Sequence, residues 1–234
     1  MLVLGIESST PVASVALVGP QGLVGEITLN IGLTHSEQLL PLIVDLLEQA
    51  RLSLEDVEGI AIAGGPGSFT GLRIGMATAK ALAQGRKLPL VAIPTLQALA
   101  CTQMTSNYLV SPVMNARKKE VYTALFSFQG QKIEQLEADQ AIEPTKWVES
   151  LQKYEQPVLF VGDGVEVYRQ TWVTLTQPAV FPPAIFHGVR ASTVAQLGRE
   201  RLLAGEQDDL YSLKPSYIRP VDARKKLNCA AVSK

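Results

Sequence analysis

The sequence predicts an α/β fold in which mixed β-sheets carry helices on their faces and the plan is built twice. Short apolar strands alternate with helical segments in the order β-β-β-α-β-α-β-α as far as Cys101. Tight-turn chemistry separates the opening strands, with Glu7-Ser8-Ser9-Thr10-Pro11 first and Gly19-Pro20-Gln21-Gly22 second. Two turn signals then recur at one spacing. Glu7 and Asn115 lie 108 positions apart (115 − 7), as do Gln21-Gly22 and Gln129-Gly130 (129 − 21). A shared offset of this kind is the mark of an internal duplication.

Each element has a local reason. Leu2–Ile6, Val12–Val18 and Leu23–Leu29 are apolar runs rich in strand formers. Thr34-His35-Ser36-Glu37 fits a capping box and opens a helix to about Ala50, which Pro41 should bend. Ser53-Leu54-Glu55-Asp56 caps a short turn, and Gly59–Ala63 is a buried strand. A glycine-rich loop, Gly64 to Gly71, leads into a helix over Leu72–Gln84 that Gly85 is expected to end. Pro89–Ile93 is a strand, and Thr95 is expected to cap a helix to about Cys101. The second part repeats the opening. Leu109–Met114, Glu120–Phe128 and Lys132–Glu137 are strands around the turns at Asn115–Lys119 and Gln129-Gly130. A helix from Thr145, a strand Val158–Val161, a Gly162-Asp163-Gly164 turn and a helix near Ser192–Leu203 follow. From Asp208 the chain reads as loosely structured. The predicted division is an N-terminal lobe over 1–104, a smaller lobe over 105–205 and a tail over 206–234.

Composition bounds the function. The chain has 234 residues, 47% hydrophobic and 18% charged, which suits a globular protein with a large core. Lys and Arg total 21 against 22 Asp and Glu, so RNA or membrane binding by bulk charge is not expected. Cys101 and Cys229 cannot build a disulfide framework or a zinc site by themselves and read as reduced thiols. The N-terminus lacks a basic region, Glu7 interrupts its apolar run, and no window is long enough to span a membrane. A cytoplasmic location is expected.

The glycine-rich loop is the most informative stretch. A strand, glycines and a helix N-terminus bring backbone N–H groups and the positive end of a helix dipole together, which suits an anion on Gly65, Gly67, Ser68 and Thr70. No Gly-Lys-Ser/Thr follows, and Thr70 stands where a dinucleotide fingerprint needs its third glycine. A tight turn with several positive-φ positions explains the same residues. Gly71, Gly75 and Ala79 share one face of the next helix, open either to a partner helix or to packing within the chain. In the preceding helix Leu39, Leu40, Leu42, Ile43, Val44, Leu46 and Leu47 cover more than one apolar stripe, so a second partner is expected for the surplus. His35 and His187 lie 152 positions apart and form no zincin motif. His35 reads as a surface residue and Asp163 as a turn residue. Glu7 either holds a cation or a water, or caps its turn. Arg117-Lys118-Lys119 reads as a solvated turn, with phosphate contact the alternative.

The run Gly64-Gly65-Pro66-Gly67-Ser68-Phe69-Thr70-Gly71-Leu72-Arg73-Ile74-Gly75, with Leu4-Gly5-Ile6-Glu7-Ser8-Ser9, resembles the TsaB (YeaZ) family. The resemblance continues through Thr34-His35-Ser36-Glu37-Gln38-Leu39-Leu40-Pro41 and Asn115-Ala116-Arg117-Lys118-Lys119-Glu120-Val121-Tyr122 to Tyr217-Ile218-Arg219. It implies the actin/hexokinase-like fold, two facing β-β-β-α-β-α lobes, here with the second reduced. It also implies a non-catalytic role in making threonylcarbamoyladenosine in tRNA, beside a TsaD-like transferase and a TsaE-like ATPase. The implied partner surface is the first lobe's two helices, through Leu39, Leu40, Ile43, Leu47, Gly71, Arg73, Gly75, Met76, Ala79 and Leu82. A homodimer through the same surface is expected in isolation, and tRNA is expected to be reached only through the complex. No cofactor, metal or catalytic residue of its own is expected; ATP and a metal belong to the partners. The His-x-x-x-His metal pair of TsaD-like chains falls here on Thr95 and Leu99. Asn115 stands where close relatives have Asp, and bulky Arg117-Lys118-Lys119 where nucleotide-binding relatives keep small residues. The alternative class is an enzyme of this fold, a small ATP-dependent kinase or a peptidase.

Overall fold

The structure, a computed structural model, describes residues 1–30, 35–130 and 132–218. Two five-stranded sheets form its frame. The first comprises β1 (Val3–Glu7), β2 (Ala13–Gly19), β3 (Gly22–Leu29), β4 (Gly59–Gly65) and β5 (Leu90–Pro94) in the order β3-β2-β1-β4-β5. The second comprises β6 (Leu109–Asn115), β7 (Val121–Gln129), β8 (Lys132–Ile142), β9 (Val158–Val161) and β10 (Ala179–Val180) in the order β8-β7-β6-β9-β10. The two orders are the same topology. In each, the first strand pairs antiparallel with the second and parallel with the fourth. The duplication read from the offset of 108 is therefore present in the strands themselves.

Among the described residues, seven α-helices fill the layers: α1 (His35–Gln49), α2 (Phe69–Arg86), α3 (Thr95–Cys101), α4 (Pro144–Leu151), α5 (Gly164–Val167), α6 (Arg169–Trp172) and α7 (Ala191–Leu203). The period-2 alternation of the strands decides which helix meets which face. Leu4, Ile6, Val15, Leu17, Ile60 and Ile62 point to one side of the first sheet and receive Leu39, Leu42, Ile43, Leu46 and Leu47 of α1 with Met76, Ala79 and Ala83 of α2. Val3, Ala61, Ala63, Val91 and Ile93 point to the other side, into a central core shared with α3, α7 and the inner face of the second sheet. The second sheet's outer face packs Trp147, Val148 and Leu151 of α4, Val165 of α5 and Trp172 of α6. Trp147 Nε1 donates to Ser111 Oγ at 2.9 Å, so the buried indole keeps its partner.

Chain order and packing part company at α7. It follows the second sheet but lies across β1, β2 and β4 of the first. It can do so because both surfaces are small. A Cβ on Gly5 would strike Ala191 and Ala195, and one on Gly198 would strike Ala61. The equivalent helix of the first lobe, α3, contacts β6 and β7 of the second sheet as well as β4 and β5. The two lobes thus share one interior.

Several local expectations are corrected. Gly85 lies inside α2, which ends at Arg86 with Lys87 in the left-handed conformation (φ 54°). Thr95 is the first residue of α3 and does not cap it; its Oγ1 accepts from the Gly65 N–H at 3.1 Å. The chain after Asp208 is irregular but tied down. Asp208 N donates to Leu90 O (2.8 Å), Ala92 N to Asp208 Oδ2 (2.7 Å) and Ser216 N to Gly64 O (2.7 Å). The two Asp208 bonds cover the open edge of β5, which would otherwise offer unpaired backbone groups, and the third ties the segment to the end of β4. Thr34 of the capping box, the side chain of His35, Arg219 and Cys229 lie outside the described residues. Cys101 is buried in the core, and burial pushes its thiol up to about 12. Among the described residues no helix is long and apolar enough to cross a membrane.

Two glycine substitutions should act in opposite directions. Gly198→Val places a branched side chain into Ala61 and should lower stability by at least ~1–3 kcal/mol. Gly85→Ala adds a methyl where nothing lies within 4 Å and should raise stability by up to ~1 kcal/mol. Urea unfolding of both variants checks the pair; equal midpoints would remove the close α7–sheet contact from the account.

Candidate functional site

The lobes face each other across a cleft of about 570 Å³. Ser9, Thr10 and Pro11 from the β1–β2 turn line one wall with Gly67, Ser68, Phe69 and Thr70. Met114, Asn115, Ala116, Arg117, Tyr122 and Asp163 line the other. A side chamber of about 160 Å³ continues from Thr10, Pro11, Met114 and Asp163 to His187 and Val189. The duplicated turns thus face one another, as the repeat requires.

Glu7 closes the first turn on itself. Its Oε1 accepts from Ser9 N (2.7 Å), Ser9 Oγ (2.6 Å) and Thr10 N (3.1 Å). The turn-capping role is the one its geometry shows. Its Oε2 is buried without a hydrogen-bond partner among the described residues. Burial pushes the Glu7 carboxyl up to about 7, against the pull of the Ser9 and Thr10 donors. In the second turn Asn115 Oδ1 accepts from Arg117 N at 3.0 Å, the same two-residue reach made by an amide in place of the carboxyl. Asp163 follows Gly162 at the end of β9 and accepts from Asn115 N at 2.9 Å. Burial raises the Asp163 carboxyl above its ordinary range, opposed by that bond. His187 Nδ1 accepts from Gly162 N at 3.2 Å, and burial lowers its pKa.

The glycine loop is laced to the first turn. Ser68 N donates to Ser9 O (2.6 Å), Ser8 Oγ donates to Gly71 O (2.9 Å), and Ser68 caps α2 by accepting from Gly71 N (3.3 Å). Gly67 is required because a Cβ there would enter the Ser9 carbonyl. Gly65 has the loop's only positive φ (114°) among the described residues and packs against Ser216. The expectation of several positive-φ positions is reduced to one. Thr70 lies exposed at the cleft rim. The N–H groups of Gly65, Ser68 and Gly71 have partners within the chain. Thr95 and Leu99, where a TsaD-like chain would carry its metal pair, are a hydrogen-bonded hydroxyl and a buried core side chain. Among the described residues no three His, Cys, Asp or Glu side chains gather as a metal site.

The helix pair needs one correction. Gly71, Gly75, Met76 and Ala79 are buried within the chain, and a Cβ on Gly75 would strike Ser8 Oγ. The small-residue face therefore looks at the first sheet, where it lets α2 approach β1 and β4 closely. Leu39, Ile43 and Leu47 are likewise spent on the core, and Leu82 is half-buried. The outward face of α1 carries Leu40 (53% exposed) and Val44 (51%). The outward face of α2 carries Arg73, Ala77 and Ala81. Of the ten residues named for this surface, Leu40 and Arg73 are exposed. The sequence reading also missed an aromatic stack at the start of α2. Phe69 and Tyr217 rings lie 5.2 Å apart, and the Arg73 guanidinium sits 4.4 Å over Phe69. Only the Phe69-x-x-x-Arg73 spacing signalled it, since Tyr217 comes from the far end of the chain.

Comparisons place this geometry. A family model for TsaD, tRNA N6-adenosine threonylcarbamoyltransferase, matches residues 23–226. The tRNA threonylcarbamoyladenosine biosynthesis protein TsaB of Bacillus subtilis (strain 168) is 32% identical over 227 residues, covering 97% of both chains. A crystal structure of an uncharacterized Pseudomonas aeruginosa protein, described as similar to the peptidase YeaZ, superposes with a TM-score of 0.80 at 25% identity, covering 93% of this chain and 99% of that one. The ROK hexokinase of Thermus thermophilus shares the fold alone, with a TM-score of 0.51 at 10% identity over 86% of this chain and 100% of that one. The actin/hexokinase-like architecture is thereby established.

Two variants test the site's geometry. Gly75→Leu should lower stability by ~1–3 kcal/mol or prevent folding, because the new side chain meets Ser8 and Ile62 rather than solvent; wild-type thermal unfolding would contradict this. The second test is pH. Below about pH 4.5 the Glu7 carboxyl is neutral in both states, and between there and about 7 only the unfolded chain ionises readily. Wild-type stability should therefore fall across that window relative to Glu7→Gln, by on the order of 3 kcal/mol at most. Urea unfolding at pH 5 and pH 8 checks it, and parallel pH profiles would sink it.

Proposed function

The chain belongs to the TsaB (YeaZ) family of tRNA threonylcarbamoyladenosine biosynthesis proteins, and from that premise we propose that it acts there as a non-catalytic scaffold and activator of a TsaD-like transferase. The observation that carries this reading is the outward face of α1 and α2. The two helices lie side by side on the first sheet, and their inward residues already complete its core. Leu40 and Val44 nevertheless stand exposed on α1, as do Ala77 and Ala81 on α2. Apolar side chains next to small ones let a partner's helices pack closely. The partner is the TsaD-like protein in the working complex and a second copy of this chain when it is alone. A TsaE-like ATPase joins the assembly. ATP and the metal belong to those partners.

The cleft supports the same reading. Ser9 N and Thr10 N, donors that a phosphate would need at the first turn, are held by Glu7. That weighs against a kinase. Thr95 and Leu99 offer no ligand pair, which weighs against the peptidase.

Leu40→Glu separates fold from partnership. The site is exposed and glutamate is as good a helix former as leucine, so stability should stay within ~0.5 kcal/mol of wild type. Binding to the TsaD-like partner should weaken by at least ~2 kcal/mol, roughly thirty-fold, as for an interface anchor. Titration calorimetry with unfolding on the same preparation measures both. Unchanged partner affinity would overturn the assignment of this face.

A further inference from the structure

The duplication supplies an internal control for one turn. The β1–β2 connection runs from Ser8 to Val12 and the β6–β7 connection from Ala116 to Glu120, so both join their strands with five residues. The first makes its reversal with no positive φ. The second places three consecutive non-glycine residues in the left-handed region, Arg117 (φ 61°), Lys118 (φ 51°) and Lys119 (φ 64°). Left-handed backbone is unfavourable for any residue with a Cβ, and glycine would relieve it. The topology does not demand that strain, since its twin avoids it. A strained conformation retained in long cationic residues points to function at their side chains.

Three backbone N–H groups of the turn are bonded within it. Ala116 N donates to Glu120 O, Arg117 N to Asn115 Oδ1 and Glu120 N to Arg117 O. Outward the turn presents the charge of the exposed Arg117, Lys118 and Lys119 side chains. Arg117 lines the cleft, and Lys119, two residues on in the same turn, is exposed. Solvent-facing cations suit a polyanion whose phosphates stay partly hydrated, rather than one enclosed phosphate. We propose that this turn is a direct contact for the sugar–phosphate backbone of the tRNA on which the family's complex works. It rests on the reading of the chain as part of that complex and goes beyond the expectation that tRNA is met only through partners. With a formal net charge of −1 the chain has no bulk attraction for RNA, so the contact contributes within the assembled complex.

The test uses the full chain assembled with its TsaD-like partner. Its tRNA binding is followed by fluorescence anisotropy between about 50 and 300 mM KCl, a range over which the Debye length shortens by more than half. The double variant Arg117→Gly/Lys119→Gly should melt at or above the wild-type temperature, because glycine accepts the left-handed backbone. Its tRNA affinity should fall about ten-fold, and the slope of log affinity against log salt should flatten by about 1.5, near 0.7–0.9 for each phosphate no longer neutralised. Arg117→Asn/Lys119→Asn should behave alike, asparagine also tolerating this region, and Arg117→Lys/Lys119→Arg should keep the wild-type slope. An unchanged slope with partner affinity intact overturns the proposal and leaves the scaffold reading standing. Weakened partner binding in the glycine variant assigns the turn to a protein interface and also overturns it. So does loss of binding to ATP alone with tRNA binding unaltered. Failure of the scaffold reading itself shows separately, as wild-type partner affinity in Leu40→Glu.

Discussion

The close contact between α7 and the first sheet is the constraint on which the rest of the structure depends. Gly5, Ala61, Ala195 and Gly198 bring helix and sheet nearer than larger side chains would allow. Because α7 arrives after β10, this contact fastens the second half of the chain to the first. Glu26 reinforces it, accepting from Ser192 N and Ser192 Oγ at 2.9 Å each and facing Arg190. The exchange with α3 makes a single core of two repeats. The width of the cleft follows from it, since both duplicated turns are carried on sheets that α3 and α7 hold together.

Within that frame the two turns have diverged in chemistry while keeping their length. Glu7 directs a carboxyl back onto its own backbone, whereas Asn115 does so with an amide. In the first turn the acid is buried, raised in pKa and partly unpaired. In the second, the nearby acid is Asp163, at the end of the neighbouring strand, and cations occupy the tip. The cleft thus presents one hydroxyl-lined wall and one that carries Arg117 and Asp163.

The outer helices show a similar division of labour between faces. On α1 the core takes Leu39, Leu42, Ile43, Leu46 and Leu47, and on α2 it takes Leu72, Gly75, Met76, Ala79 and Ala83. What remains outside on α1 is apolar, Leu40 and Val44, and the α2 N-terminus carries the stack of Phe69, Arg73 and Tyr217. Tyr217 reaches this place because the segment after Asp208 is bonded along β5 and across the glycine loop. The chain's end therefore contributes to a surface that its first hundred residues build.

Period-2 apolar runs, helix-length apolar surplus and turn residues at a repeated offset made the element order legible as far as β9, together with the duplication, because each is a local consequence of backbone sterics and side-chain periodicity; the short α5, α6 and β10 were not legible. Ser53–Asp56 and the strand Val158–Val161 were legible for the same reason. Facing was not. Gly71, Gly75 and Ala79 form an identical stripe whether they meet a partner or their own sheet, and only the position of Ser8 beneath them decided it. Gly85 looked like a helix end until Lys87 took the left-handed position, and Thr95 looked like a cap until Gly65 was found against it. The tail's attachment also depends on contacts between residues far apart in sequence. Local propensity specifies what each segment is; which of its sides is buried is set by whatever the rest of the chain brings to it.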